Sequence, residues 1–311
     1  MSAHVKWFVD WRNYPTQYAL LLSSRFAAAL AISVLVIGAA WWAQRNVREP
    51  RLLRFFDRFV DWGPFFVGTH AGLPLLVAAL SDRLFAPHLF VHIDSQASYV
   101  LLAAEGLVGA LLVLGLFTRA AAVGLAVLGP LAASYFGWEG IVEQLHFLGI
   151  ALFLVLIGRG PLSLDRVLQR RQIPQPRAPT WAITLLRVLS GAGIAFNALT
   201  EKILNPALSA ALLQQRPELN PLRALGVDDP AFVLVAGVLE FVIGLWIASG
   251  QVTRLAILVA WFPFNITLLL FGWDELLGHL PIYGVMFMLL VAPQADAWHV
   301  RQRLRAQAVA A

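Results

Sequence analysis

The 311-residue sequence contains no cysteine, which excludes disulfides, thiolate metal ligands and cysteine-held iron–sulfur clusters within the chain. Charged residues are also scarce: they make up 13% of the chain, whereas about 25% is usual in soluble domains. This scarcity argues against a disordered, collagen-like or nucleic-acid-binding chain. The chain instead has 59% hydrophobic residues and a mean hydropathy of +0.72, which predicts an integral membrane protein.

Signatures of nucleotide-binding and hydrolytic enzymes are missing too. The chain has no G-x-G-x-x-G, Walker, G-x-S-x-G or H-E-x-x-H motif. Histidines and carboxylates occur in the loops, but their spacing matches no strong metal signature. We therefore expect no nucleotide, haem, iron–sulfur cluster or metal ion.

The hydrophobic residues are concentrated in nine blocks of about the length that crosses a membrane. The first block, from Tyr18 to Trp42, is followed by several arginines, as expected for a retained N-terminal anchor. The others lie near 64–82, 97–116, 120–137, 144–158, 181–201, 231–249, 255–273 and 276–292. The predicted fold is therefore all-α, with about nine transmembrane helices.

The positive charges predict how these helices are oriented. Outside the blocks, 15 Lys and Arg residues lie in one set of alternate loops and 6 in the other. Cytoplasmic loops carry the excess of positive charge in membrane proteins. We therefore predict that the N-terminus is outside and the C-terminus is cytoplasmic.

A repeated motif divides the chain into two similar parts. The pattern E-x3-G-x5-G-x2-T-R occurs at 105–119 and again at 240–254, an offset of 135 residues. Upstream, 79–83 matches 198–202 at an offset of 119, so the second copy has a 16-residue insertion. Each copy holds four blocks, an even number, which predicts two parallel-repeat four-helix bundles behind the anchor helix. The alternative is a duplicated packing unit with no site between the copies.

These observations predict five segments along the chain. They are an anchor with a basic segment at 1–60, a first unit at 61–166, a cytoplasmic linker at 167–180, a second unit at 181–295 and a basic tail at 296–311.

Each copy carries one glutamate, Glu105 or Glu240, well inside a predicted span. A carboxylate at that depth is costly and marks a candidate functional site. Arg187 is the expected partner of Glu240, whereas the first copy has Gly68 in that place and His70 is the nearest substitute for Glu105. These residues are the candidate proton or quinone site. The alternative is that each glutamate only locks two helices together.

The other motif residues are predicted to have structural roles. Four glycines are expected to let helices approach closely. They are Gly109, Gly115, Gly244 and Gly250. Thr118 with Arg119, and Thr253 with Arg254, lie in tight turns, where Thr can cap the next helix and Arg can contact lipid phosphate.

Candidate substrate-binding residues lie on the predicted outer side. Lys202, Arg216 and Arg223 are the cations available there for an anionic substrate such as thiosulfate. Trp138 and Trp273 lie at span ends and are weaker candidates.

The repeated motif, the helix ends at 79–83 and 198–202, and Gly-Pro-Leu-Ser-Leu-Asp at 160–165 resemble the DoxX/DoxD family of small four-helix membrane proteins. The chain looks like two such units in tandem, over 64–166 and 181–292, behind an extra N-terminal helix. Residues 292–296 match the Gly-Pro-Leu-Ser-Leu-Asp ending only loosely. The resemblance implies a helical bundle in a bacterial inner membrane and, for the best-known relatives, a subunit of thiosulfate:quinone oxidoreductase.

Three functions are compatible with these features. The first is a quinone-linked oxidoreductase subunit, with quinone as its cofactor. The second is a non-catalytic accessory protein that binds a protein partner on its outer face. The third is a transporter with a site between the two copies. In all three cases membrane lipid is a partner and nucleic acid is not.

Overall fold

The computed structural model describes residues 4–168 and 178–292, apart from the side chains of residues 133 and 134. Within these ranges the regular structure is helical, and the β-type contact present is an isolated bridge between Arg83 and Phe90. Several of the helices are long and apolar enough to cross a membrane. The expectation of an all-α membrane protein is confirmed. The predicted basic tail at 296–311 and linker residues 169–177 lie outside the described residues.

The α-helices of the described ranges are numbered here in chain order. They are α1 (Ser24–Asn46), α2 (Gly63–Ala79), α3 (Gln96–Leu114), α4 (Thr118–Glu143), α5 (Leu145–Ile157), α6 (Leu164–Leu168), α7 (Thr180–Ala198), α8 (Pro206–Gln215), α9 (Asp229–Ser249), α10 (Thr253–Phe271) and α11 (Trp273–Val291). A π-helical turn, Leu199–Ile203, continues α7. Short 3-10 helices include Val5–Trp7, Trp11–Asn13, Tyr18–Leu22 and Leu53–Trp62.

Fewer helices than expected are long enough to span a membrane. In the described ranges seven helices meet that length, or eight if a bent pair counts as one span. The bent pair is Tyr135–Glu143 with Leu145–Ile157, at 71° to each other, and the apolar helix Thr118–Ala132 before it is shorter. That bend lies at Gln144, and α4 is also kinked at Gly137, whose φ of +70° is a conformation that favours glycine. The apolar blocks at 120–137 and 144–158 are thus divided into three pieces.

The anchor helix also begins later than its apolar block. Residues 18–22 form a 3-10 helix, and α1 starts at Ser24 because the Ser23 hydroxyl accepts the backbone N–H of Phe26. α1 packs mainly on α9 and leaves most of its surface free for lipid.

The remaining long helices pack on one another in a closed order. α2 packs along α3, α3 on α4 and α4 on α5, and α5 then packs on α7. α7 packs along α9, α9 on α10 and α10 on α11, and α11 returns to pack on α2. One large apolar core runs through α2 to α5 and continues into α7, α9, α10 and α11.

Two helix crossings depend on glycine. A methyl group at Gly109 would lie 2.6 Å from the backbone nitrogen of Leu76 on α2. A methyl group at Gly244 would likewise lie 2.5 Å from the backbone nitrogen of Ala195 on α7. Both distances are shorter than real carbon–nitrogen contacts. The crossing of α2 with α3 and the crossing of α7 with α9 therefore require glycine.

The other two motif glycines end helices. Gly115 and Gly250 have φ of +65° and +75° and follow the last residues of α3 and α9. This left-handed conformation is the usual glycine helix ending. Each glycine also lies against an arginine side chain, Arg159 for Gly115 and Arg187 for Gly250.

The threonine–arginine turns differ from their expected roles. The start of α4 is capped by Asp165, whose carboxylate accepts the N–H groups of Phe117 (2.6 Å) and Thr118 (2.9 Å). The expected cap by Thr118 is therefore wrong, since the hydroxyl of a residue already inside the helix cannot reach those N–H groups as well. Arg119 donates to the carbonyl of Leu156.

Arg254 does not face lipid phosphate either. Its guanidinium is fully buried and pairs with Glu49 at 2.9 Å and with Asp57. It therefore fastens the segment between α1 and α2 to the start of α10. The backbone N–H of Val252, just before α10, donates to the Gln44 side chain of α1, while Thr253 is buried in the same turn.

Candidate functional site

The N-terminal segment, residues 4–22, folds back onto one end of the bundle. Val5 and Lys6 are buried, although they precede the anchor helix. The Val5 N–H donates to Glu201 at 2.5 Å, and the His4 ring nitrogen Nδ1 lies 3.2 Å from the same carboxylate. We call this end of the bundle the N-terminal face. The ends of α2, α4, α7 and α10 and the starts of α3, α5, α9 and α11 lie there.

Three acid–base pairs are buried at this face. Lys6 pairs with Glu143 at the end of α4, and His4 pairs with Glu201 in the π-helical turn. Lys202, also in that turn, donates to Glu240 of α9 at 2.7 Å. Each carboxylate thus has its own base, which is the condition under which buried charge is tolerated.

The paired carboxylates favour the protonated form of both bases in the N-terminal segment. Burial alone would lower the pKa of Lys6, but the Glu143 carboxylate, helped by Glu201, raises it above its ordinary value. Burial likewise opposes charge on His4, and the Glu201 carboxylate outweighs it and raises the pKa of His4 above 6.5. The segment therefore brings two basic side chains into the bundle, each beside a carboxylate.

A fourth carboxylate, Glu275, lies with His279 on α11. Glu275 Oε1 is 3.4 Å from His279 Nδ1, and both side chains are almost completely buried. Aromatic rings surround His279, with centroid distances of 5.2 Å to Trp7 and 4.7 Å to Phe264. Beside them is a cavity of about 20 Å³, lined among others by Trp7, His146, Asn197, Glu240 and Phe264.

A larger cleft of about 410 Å³ opens beside the N-terminal segment. Its walls are mainly aromatic: Trp11, Tyr14, Tyr18, Phe136 and Trp138. Lys6, His88 and Glu143 lie at its floor, where His88 Nε2 is 3.5 Å from Glu143 Oε2. At its rim the Tyr18 hydroxyl donates to Glu139, and burial together with this carboxylate raises the pKa of Tyr18. The cleft thus combines flat apolar walls with a polar, protonatable floor.

Glu240 belongs to the buried acid–base pairs, but its partner is not Arg187. Glu240 is bound by Lys202. The Arg187 guanidinium donates to the carbonyls of Ile247 (3.2 Å) and Ala248 (2.7 Å), about two turns of α9 farther along. The expected Arg187–Glu240 pair is wrong, because Arg187 extends toward the opposite end of α9, where the last carbonyls of the helix need donors.

Glu105 and His70 are not brought together. Glu105 Oε1 accepts the backbone N–H of Phe85 at 2.7 Å. His70 lies on the side of α2 that faces α11, where its Cβ packs over Gly284. Residues that contact α3, such as Gly72, lie on the opposite side of α2. The expected partnership of His70 with Glu105 is therefore wrong.

The first copy has Gly68 where the second has Arg187, and Arg159 takes the place of that arginine in space. The Arg159 side chain, which follows α5, passes over Gly68 with its Cγ 3.1 Å from the position of a β-carbon there. Its guanidinium donates to the Thr69 hydroxyl and the Leu162 carbonyl, both at 2.7 Å. A guanidinium thus packs against the helix-ending glycine in both copies, from a different position in the sequence.

The predicted cationic cluster is not assembled. Lys202 is buried with Glu240, whereas Arg216 pairs with Glu218 and Arg223 with Asp229 at 2.5 Å. The two tryptophans also differ. Trp138 lines the cleft and stacks on Tyr18, whereas Trp273 is 67% exposed and does not line that cleft.

Sequence reasoning missed His4, Lys6, His88 and Glu201. The N-terminal residues precede the first apolar block, and nothing in their pattern indicates that they fold back. The one available signal was Glu201 with Lys202 at the end of an apolar block, where two adjacent charges indicate buried partners.

No family model, curated protein or solved structure matches this chain. In the described part of the chain no group of three or more His, Asp or Glu side chains is arranged to hold a metal ion.

Proposed function

We propose that this chain is the membrane subunit of a quinone-linked oxidoreductase and that the cleft at the N-terminal face holds the quinone head group. The observation that carries this proposal is the pairing of aromatic walls with the buried floor of Lys6, His88 and Glu143. Small-molecule sites have this character: mostly apolar walls with a few polar groups that fix orientation.

The residues of the cleft fit a quinone. The volume of about 410 Å³ exceeds that of one substituted ring, and Trp11, Phe136 and Trp138 supply flat surfaces. A bound quinone would accept two electrons and two protons. The Lys6 ammonium can donate a hydrogen bond to a carbonyl oxygen, and this bond is stronger because the donor is charged.

His88 is the residue best placed to exchange protons with the ligand. Its Nε2 faces Glu143, which orients the ring, while its other nitrogen, Nδ1, has no protein partner in the described residues. His88 belongs to the loop between α2 and α3 and lines the cleft, which opens to the surface. Protons therefore pass between water and the cleft floor without crossing the bundle.

The finer architecture belongs to the same proposal. α2, α3, α4 and α5 correspond by sequence to α7, α9, α10 and α11, and glycine crossings recur at Gly109 and Gly244. α5 packs on α7 as α11 packs on α2, which supports two parallel four-helix units around one axis. The sequence patterns support the remaining points of the proposal: nine spans, a DoxX-like identity, a bacterial inner membrane and an outward N-terminus.

A transporter is the second candidate, and one observation favours it. The small cavity beside the acid–base pairs is lined by His146 of the first proposed unit and by Asn197 and Glu240 of the second. Transporters built from repeats place their sites at the interface of those repeats. The cavity there, about 20 Å³, has room for water and protons but for no larger solute.

The test uses the full chain in lipid nanodiscs with decylubiquinone and menadione as probes. Quinones quench tryptophan fluorescence at short range, so saturable quenching reports binding near a tryptophan. We expect Trp138→Phe to remove a large part of the saturable quenching. Trp273→Phe is the matched control, because Trp273 occupies the corresponding position in the second copy and is outside the cleft.

His88→Gln tests the floor of the cleft. Loss of one hydrogen bond to a charged group weakens binding by about 1.5–3 kcal/mol, or about 10- to 100-fold in Kd. Equal quenching in the Trp138 and Trp273 variants, with unchanged affinity in His88→Gln, would show that the quinone is only dissolved in the lipid and would refute the proposal.

A further inference from the structure

The charges buried at the N-terminal face balance in pairs except at α11. Lys6 balances Glu143, His4 balances Glu201 and Lys202 balances Glu240. Within residues 4–168 and 178–292 Glu275 forms no ion pair with Lys or Arg; its close neighbours are His279 and the Thr267 hydroxyl. An ionised Glu275 beside a neutral His279 would give the buried group a net charge of one.

Several titratable groups face this pair from the packed elements. They are His4 from the N-terminal segment, Lys202 from the π-helical turn, Glu240 from α9, His146 from α5 and Tyr283 from α11 itself. Two of them, His4 and Lys202, carry positive charge in the pairs described above. An imidazolium at His279 would face that of His4 across a ring distance of 5.4 Å.

A net charge in this place is costly. The effective penalty for burying an unpaired ion is several kcal/mol even after relaxation. Adding one proton to the pair removes the net charge, and the carboxyl group is the site where that proton creates no new positive charge beside His4. We propose that Glu275 binds one exchangeable proton and that Glu275, His279 and the adjacent water-sized cavity form an internal proton-binding site.

The cavity supplies the means of exchange. Its volume of about 20 Å³ is enough for a water molecule, which needs roughly 10–15 Å³ of such space. Three buried polar atoms at its lining residues have no protein partner in the described chain: Glu240 Oε1, His146 Nε2 and Asn197 Oδ1. A water needs two to four polar partners, and the lining residues Glu240, His146 and Asn197 carry polar atoms of this kind. Trp7 and Phe264 border both this water site and the His279 ring.

The exchange of this proton with the water balances in charge and in atoms. The O–H bond of Glu275 breaks, the proton passes to the water through His279, and the carboxylate remains with one added negative charge. Because the Lys6–Glu143 pair is shared with the cleft floor, a change of charge in the cleft alters the affinity of Glu275 for its proton. This site does not require that the cleft binds quinone.

The test is infrared spectroscopy of the full chain in nanodiscs, without quinone. Protonated carboxyl groups absorb in a region separate from carboxylates and amides. At pH 7 we expect a carboxyl component that Glu275→Gln removes, equal to one carboxyl per chain, and that shifts in D2O. Glu218→Gln is the control, because Glu218 is an exposed carboxylate that pairs with Arg216 outside this network.

A second variant covers the possibility that Glu275→Gln does not fold. Glu275→Asp keeps a carboxyl group, so the component should move in frequency instead of disappearing. An unchanged carboxyl spectrum in either folded variant overturns the proposal, as does a component that does not shift in D2O. Failure of quinone binding in the fluorescence test leaves these infrared results unaffected, so the two proposals fail separately.

Discussion

Replacing Lys202 by methionine is expected to destabilise the protein strongly. Methionine has a similar length and keeps the packing against Gly237, whose neighbourhood contains the Lys202 Cβ. What it removes is the ammonium group 2.7 Å from Glu240 Oε2, in a pair whose side chains are 3% and 8% exposed. Glu240 would then be a buried carboxylate without its cation.

The magnitude follows from two opposing terms. At 2.7 Å and an effective dielectric constant of about 20, the attraction of the pair is about 6 kcal/mol, and desolvation of both groups offsets much of it. Removing one partner leaves the other desolvated without compensation, and such losses are about 3–5 kcal/mol. Glu240 can reduce the loss by taking up a proton, so the effect should be smaller at low pH.

The assay is equilibrium unfolding in mixed micelles, with dodecyl sulfate as the denaturant and circular dichroism as the signal. The decisive comparison is the double variant Lys202→Met with Glu240→Gln. It removes both charges, and replacing a whole buried pair by uncharged groups is often neutral or stabilising. The double variant should therefore recover most of the stability that the single variant loses. Arg216→Met is the control, because its ion pair with Glu218 is exposed and should contribute nothing measurable.

The refuting result is a double variant as unstable as the single one. The loss would then come from the packing of the lysine side chain and not from an unpaired charge. A single variant with the stability of the wild type would refute the reasoning as well, because Glu240 would then be satisfied by other donors.

Two further predictions use the same unfolding assay. Asp165→Ala should cost about 1 kcal/mol because the carboxylate caps the N–H groups of Phe117 and Thr118, and Asp165→Asn should retain most of that stability. For His4 the folded pKa is raised above 6.5 by Glu201, so its pair contributes full stability below pH 6.5 and loses it as the pH rises through the folded value. His4→Gln should abolish that part of the pH dependence, and an unchanged slope between pH 6 and 9 would contradict the assignment.

The long helices could be predicted from the sequence because their apolar blocks are strong, local signals. The starts and breaks of helices could not, because they depend on single side chains and dihedral angles. Ser23 starts α1 six residues after the apolar block begins, and Gly137 interrupts α4 although no neighbouring residue marks that position as different. The sequence also predicted that Gly109 and Gly244 let neighbouring helices approach closely. In the structure a methyl group at either position would overlap the facing helix.

The candidate site was harder to predict because its pairs join distant parts of the chain. The sequence predicted that Glu240 needs a cation, but it offers both Arg187 and Lys202 as partners. Only the direction of the two side chains shows that Lys202 binds Glu240 and Arg187 does not. The two arginines beside the helix-ending glycines could not be predicted either. Arg187 fills this place in the second copy, whereas Arg159 fills it in the first copy, where Gly68 stands at the position of Arg187. A guanidinium can fill one place in space from two places in the sequence.

The difference between the two sequence copies has a physical origin in the N-terminal segment. One segment can fold onto only one of two corresponding helix ends. Asp82 and Glu201 occupy matching positions, yet Asp82 lies exposed beyond the end of α2, whereas Glu201 is drawn inward by the π-helical turn and binds His4 and Val5. π-Helical turns are frequent at functional sites, and here the turn also orients Lys202 toward Glu240. The glycine motif therefore recurs in both halves of the sequence, whereas the buried charged network involves Glu201 and Lys202 of the second half.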